Sequence, residues 1–205
     1  MSSRALFILL TLLMPCCTVA KNLEECGRKN ETPGWQIIKD VSHSNDWRVL
    51  RLSYPLVTSQ LIIAAMYGDD ISVRKIMATK QSEEDMANAL YVASSMGRLS
   101  TIRTLIKSGI SPNIEKENGF TALYAASQYG CPETIAHLVS LGANVNFHTH
   151  ARYSVLISAI DTEQYRAARE LIDNGYHASS EEKLGIKRAL HRDGRDAVYK
   201  SLFEK

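Results

Sequence analysis

Three segments of this chain superpose at an offset of 33 residues, and no other feature narrows the possible folds so far. Leu90-Tyr91-Val92-Ala93 aligns with Leu123-Tyr124-Ala125-Ala126 and with Leu156-Ile157-Ser158-Ala159. Downstream, Leu105-Ile106-Lys107-Ser108-Gly109 aligns with Leu138-Val139-Ser140-Leu141-Gly142 and with Leu171-Ile172-Asp173-Asn174-Gly175. A fourth copy precedes these at an offset of 29, with Leu61-Ile62-Ile63-Ala64 in its first apolar run and Val73, Ile76 and Met77 in its second. The four missing residues fall between Lys80 and Met86, where a shortened connection leaves both runs in register. A unit of this length cannot cover its own apolar face, so stability has to come from neighbours stacking along an array.

Each unit reads as two short helices and a turn. In the third, Thr121 is placed to cap the first helix, Leu123 and Ala126 face inward, and Gly130 breaks the chain. Pro132 and Glu133 suit the first turn of the second helix, whose buried stripe is Ile135, Leu138 and Val139. Gly109, Gly142 and Gly175 hold the place just past the second helix, where a left-handed backbone satisfies the last carbonyls.

Asn118-Gly119-Phe120-Thr121-Ala122-Leu123-Tyr124-Ala125-Ala126, followed by Gly142-Ala143-Asn144-Val145-Asn146, closely resembles an ankyrin repeat. The sequence departs from the family pattern in three places: Ala122 stands where proline is usual, Tyr124 replaces a histidine, and Glu163 takes the place of the inter-helix glycine in the fourth unit. The resemblance covers roughly residues 56–178. It implies an all-α fold, an ankyrin-repeat solenoid of about four helix-turn-helix repeats over residues 58–178, with capping segments at both ends. Residues 179–205 suit helical capping: Ser179 and Glu182 have capping-box spacing, and Leu184, Ala189, Leu190, Ala197, Val198 and Leu202 recur at helical intervals among many charges. Residues 21–57 carry Trp35, Ile37, Ile38, Trp47, Val49, Leu50 and Leu52, too apolar for a tail; they are expected to cover the first repeat or to form a partner-specific extension.

The first twenty residues differ from all that follow. Arg4 is their only charge, Ala5 to Met14 is almost unbroken apolar sequence, and Thr18-Val19-Ala20 supplies small residues before Lys21, the pattern of a secretory signal peptide cut after Ala20. A membrane anchor is the alternative, but the apolar run falls short of the ~20 residues a spanning helix needs and contains Pro15. Lipidation at Cys16 or Cys17 is a minority option, because Pro15 or Cys16 just before the acceptor fits a lipoprotein signal poorly. After cleavage Cys26 and Cys131 remain, either paired in an oxidising compartment or as two separate thiols. The 24 basic and 22 acidic residues are interspersed, so no basic stripe points to nucleic acid and no span to a membrane in the mature chain.

Motifs of catalysis are missing from the sequence: no glycine-rich phosphate loop, no Gly-x-Ser-x-Gly elbow, no Cys-x-x-Cys and no His-Glu-x-x-His. His148 and His150 have spacing compatible with zinc, but no third ligand is nearby in sequence, and the repeat register puts both on an exposed loop. Cys131 opens a helix without a histidine or carboxylate positioned to activate it. Asn30-Glu31-Thr32 is a glycosylation acceptor only in a eukaryotic secretory pathway. The expectation is therefore no enzyme, no cofactor and no metal.

The family resemblance implies where a partner binds. Residues just before the inter-helix glycine line a concave side, here Met66 and Tyr67, Ser95 and Met96, Gln128 and Tyr129, Asp161 and Thr162. The fingers between units contribute Glu117, Asn118, Phe120, His150 and Tyr153. Tyr67, Met96, Phe120, Tyr129 and Tyr153 are of the types that dominate interface energetics. Packing of some of them on a neighbouring finger or on the N-terminal segment is the competing reading. With export, a bacterial periplasm is the expected home, and there the resemblance to ankyrin-repeat proteins suggests two roles: an immunity protein neutralising a secreted antibacterial toxin such as a type VI lipase effector, or an accessory protein supporting a catalase against peroxide. A secreted effector that binds host proteins is the third reading.

Overall fold

The computed structural model describes residues 59–116, 119–151 and 153–204. The described residues hold ten helices, arranged as five helix pairs. The first helix of each pair belongs to an inner layer: α1 Gln60–Tyr67, α3 Glu83–Ser95, α5 Ala122–Tyr129, α7 Val155–Asp161 and α9 Ser180–Arg192. The second helices form an outer layer: α2 Asp70–Met77, α4 Leu99–Lys107, α6 Pro132–Ser140, α8 Tyr165–Asp173 and α10 Asp196–Phe203. Inner helices α1, α3, α5 and α7 pack each on the next, and outer helices α2, α4, α6, α8 and α10 do likewise.

What permits this stacking is a ladder of small and branched side chains. Ala64, Ala93, Ala126 and Ala159 hold equivalent places in four successive inner helices and are all fully buried, which brings the backbones close. Val73, Ile102, Ile135 and Ala168 do the same in the outer layer, with Leu105, Leu138 and Leu171 one turn further on. Leu123, Ala126, Ile135 and Leu138 lie in the core as their spacing predicts, and Val139 is half-buried.

Each pair turns through one left-handed residue. Gly68, Gly97, Gly130, Glu163 and Gly194 have φ of 76°, 64°, 72°, 61° and 70°. The next amide closes the same bond every time: Asp69 N–H to Ala64 (3.0 Å), Arg98 to Ala93 (2.8 Å), Cys131 to Ala126 (3.1 Å), Gln164 to Ala159 (2.7 Å) and Arg195 to Leu190 (2.7 Å). Glu163, a departure from the pattern in sequence, is no departure in backbone. A side chain there costs about 1–2 kcal/mol of left-handed strain, and its carboxylate meets Arg195 Nη1 at 2.9 Å. Gly194 shows that the C-terminal helices repeat the geometry of the other pairs.

Two of the connections between pairs are long fingers, residues 108–121 and 141–154; residues 78–82 and 174–179 are short. The shortening expected between Lys80 and Met86 falls in the first of these, and α3 uses it to begin six residues before the place equivalent to the start of α5, under a Ser82 cap that accepts from Asp85 N–H at 3.0 Å. Asn113 and Asn146, 33 residues apart, join each finger to the connection that follows it: Asn113 Nδ2 donates to Gly142 O (3.0 Å) while its Oδ1 accepts from Asn144 N–H (2.7 Å). Asn146 Oδ1 likewise accepts from His177 N–H at 2.8 Å.

Caps follow the local chemistry. Thr121 accepts from Tyr124 N–H at 3.3 Å, and Ser179 accepts from Glu182 N–H at 3.1 Å. The capping box at Ser179 is only half formed, however: the Glu182 carboxylate turns to the hydroxyls of Ser154 and Tyr176, tying the fifth pair to the fourth. Among the C-terminal apolar residues, Leu190 and Leu202 are buried, whereas Leu184 is 47% exposed and Ala197 exposed, so those two do not contribute to the core. The expected signal peptide, Cys16, Cys17, Cys26 and the apolar segment from Trp35 to Leu52 lie outside the described residues.

Candidate functional site

The two fingers stand beside the third helix pair and fold on themselves through backbone bonds, Lys116 N–H to Phe120 O (3.0 Å) in one and Thr149 N–H to Tyr153 O (3.0 Å) in the other. They meet at Glu115 and His150. His150 Nε2 lies 3.0 Å from Glu115 Oε2 with both side chains exposed, and the imidazole covers Gly119, where a Cβ would come within 2.9 Å of the ring Cγ. This contact explains the glycine of the Asn118-Gly119 dipeptide twice over, since Gly119 also has φ 72°.

Behind the tips runs a tier of aromatic rings. Phe120 stacks on Tyr124 with centroids 4.5 Å apart, and Tyr124 meets Tyr153 at 6.5 Å across the unit boundary. Tyr153 O–H donates to Asp161 at the C-terminal end of α7. In the neighbouring unit Tyr91 O–H points to Gln128 Oε1 at 3.4 Å, and the Lys116 ammonium lies 4.4 Å from the Tyr91 ring centroid. Burial, with Tyr129 and Tyr124 close by, pushes the Tyr91 phenol well above its ordinary range. Burial and the Asp161 carboxylate do the same for Tyr153.

Of the residues expected to contact a partner, Phe120, Gln128, Tyr153 and Asp161 therefore belong to one connected network, with His150 at its finger edge. Tyr67, Tyr129 and Asp161 end their inner helices, and Met96 caps α3, so these form a row along the C-terminal ends of that layer. Met66, Tyr67, Met96, Gln128 and Tyr129 are half-buried, Asp161 and His150 exposed, and Ser95 buried. The Met66 carbonyl accepts from Arg98 Nε at 3.1 Å. Glu117 and Asn118 lie outside the described residues. Cys131 is fully buried, and His148 Nδ1 is 3.0 Å from the Asn146 carbonyl. Among the described residues no group of three or more His, Cys, Asp or Glu gathers as metal ligands would, and no helix is long and apolar enough to cross a membrane.

Sequence reasoning passed over Tyr91, Tyr124 and Lys116. The signal was present for the two tyrosines, which share a position at the offset of 33 and carry a ring where the pattern expects a histidine. Lys116 had none, because its place over Tyr91 depends on how the finger folds back.

The family model described as Ankyrin repeats (3 copies) matches residues 61–149. No curated protein matches the chain. Together with the five stacked helix pairs and their shared left-handed turn, the match identifies the chain's fold as an all-α ankyrin-repeat solenoid, an architecture that points to protein–protein interaction.

Proposed function

We propose that this chain is an exported protein-binding module that seats a partner on the face formed by the two fingers and the C-terminal ends of the inner helices. Its role, on this proposal, is that of a periplasmic immunity protein that neutralises a secreted antibacterial enzyme. The observation that carries the binding reading is the aromatic network itself. Phe120, Tyr124 and Tyr153 are held against one another and against Asp161 before any partner arrives. Rings already immobilised lose little entropy on binding, which favours a tight complex. The half-buried Tyr67, Met96 and Tyr129 extend this surface along the inner layer. Export rests on the first twenty residues, and the choice of a toxin as partner on the resemblance to exported ankyrin proteins. A standard interface needs ~800 Å² from each partner, which a groove of several stacked units supplies.

The test is affinity capture with the mature chain from the envelope and secretome of its own organism. A variant with Tyr67, Met96, Tyr129 and Tyr153 changed to alanine serves as the comparison. The expected result is recovery of one toxic enzyme, whose activity the chain inhibits stoichiometrically, with recovery lost in the variant while its far-UV circular dichroism is kept. Recovery of a catalase instead, or inhibition unaffected by the four substitutions, overturns the proposal.

A further inference from the structure

We infer that the partner segment seated on the finger face is acidic, and that it sets an aspartate or glutamate carboxylate on the ammonium of Lys116. The inference rests on the binding face proposed above and adds the chemistry of what binds there. It starts from how few charges that face holds. Helices α1 and α5 contain no charged residue, and α7 contains only Asp161. The acids of α3, Glu83, Glu84 and Asp85, lie in its first turn, at the end away from the row of Tyr67, Met96 and Tyr129.

The other described charges near the row are engaged within the fold. Glu115 lies 3.0 Å from His150 Nε2, Asp161 accepts from the Tyr153 hydroxyl, and Glu163 meets Arg195 at 2.9 Å. Arg98, just past α3, donates to the Met66 carbonyl at 3.1 Å. Lys116 differs from all of these. Its ammonium makes no ion pair among the described residues and is held instead by an uncharged ring, 4.4 Å from the Tyr91 centroid. The Tyr91 hydroxyl in turn points to Gln128, the neighbour of Tyr129 on the row, at 3.4 Å.

Burial decides what has to cover this cation. Lys116, Tyr91 and Phe120 are half-buried before any partner arrives, and Lys116 N–H bonds Phe120 O, so cation and ring move as one finger. A partner lying across Phe120, Tyr124 and Tyr153 therefore closes over Lys116 as well. An ammonium has three N–H donors, and a ring faces only one side of it. Stripping solvent from the rest is strongly unfavourable unless the partner brings an anion. The count of cations then selects the anion. Lys116 is the only lysine or arginine in residues 108–121, and α3 and α5 contain none. One ammonium matches the single charge of a carboxylate, whereas a phosphate group, with a charge of about −2, is matched by a cluster of cations.

The test pans a displayed library of random peptides on the purified full-length chain. Selected peptides are sorted by whether Tyr129→Ala or Tyr153→Ala, each with its far-UV circular dichroism unchanged, abolishes their binding. Affinities for the wild type, Lys116→Gln and Lys116→Arg are then measured with each sorted peptide and with its Asp→Asn or Glu→Gln form. The tyrosine-dependent peptides are expected to share an aspartate or glutamate. Its amide should bind the wild type about ten- to a hundredfold more weakly, the range of a charge-assisted hydrogen bond. The same exchange should matter little to Lys116→Gln, and Lys116→Arg should keep most of the preference for the acid. Tyrosine-dependent peptides that share no acid, that share a lysine or arginine instead, or whose amide forms lose as much on Lys116→Gln as on the wild type overturn the inference and leave the binding face standing. If no selected peptide depends on either tyrosine, face and inference fall together.

Discussion

Gly130→Ala separates two demands that the fold places on one residue. The first is conformational: Gly130 has φ 72°, and a Cβ there costs about 1–2 kcal/mol. The second is steric. A Cβ on Gly130 would stand 2.6 Å from Gln164 Cδ and 3.1 Å from its Cγ, so the Gln164 side chain has to leave and give up its bond from Nε2 to Thr162 O, at 3.2 Å. That loss adds about 1 kcal/mol, for a total of about 2–3 kcal/mol. Gly109 supplies the reference, because it has φ 102° and nothing within 4 Å of its would-be Cβ. Gly109→Ala should cost strain alone, about 1–2 kcal/mol. Urea unfolding followed by far-UV circular dichroism, with slopes of roughly 1–3 kcal/mol/M, resolves the difference. In a Gln164→Ala background the cost of Gly130→Ala should drop to the strain value, giving a coupling of about 1 kcal/mol between the two positions. Equal costs at Gly109 and Gly130, or no coupling to Gln164, would refute the assignment of Gln164 as the obstacle.

Glu182→Ala removes the carboxylate that receives the hydroxyls of Ser154 and Tyr176. It should destabilise the chain by about 1–3 kcal/mol in urea unfolding, and an effect within about 0.5 kcal/mol would mean that these bonds add nothing net. Burial raises the phenols of Tyr91, Tyr153 and Tyr176 above their ordinary value. Once pH passes about 10, the unfolded chain releases these protons while the folded chain keeps them, so unfolding free energy should fall as pH rises further. Tyr91→Phe should make that fall shallower, and an unchanged pH slope would count against a raised Tyr91.

The period of 33 made the stack legible, because each unit spends its glycines and alanines on the same two tasks, turning and close packing. Glu163 shows the limit of residue-by-residue matching. The sequence has no glycine there, yet the flanking helices impose the same left-handed turn, and Arg195, 32 residues away, holds the carboxylate. Likewise Ser179 and Glu182 announced a capping box, but the buried Ser154 hydroxyl, 28 residues away, competes for the carboxylate, and spacing along one helix carries no trace of that. The shortened connection near Lys80 was legible as a deletion; that α3 would lengthen in response depends on Ser82 as a cap and on what the α1–α3 contact allows. On the candidate face, register places Phe120 and Tyr153 at equivalent positions. The ring contacts through Tyr124 and the cation over Tyr91 arise from neighbouring units and from the return of the finger, neither of which is local.

The two long fingers are adjacent, with a short connection on either side. A row of identical fingers would offer an elongated ligand several equivalent seats, each shifted by one unit, and the population would divide among them. Here one translation along the solenoid is unlike every other, since only one seat has a finger on both flanks of the third pair. On the proposed binding face, that asymmetry among the described connections would favour one register of an elongated partner over those shifted by a unit.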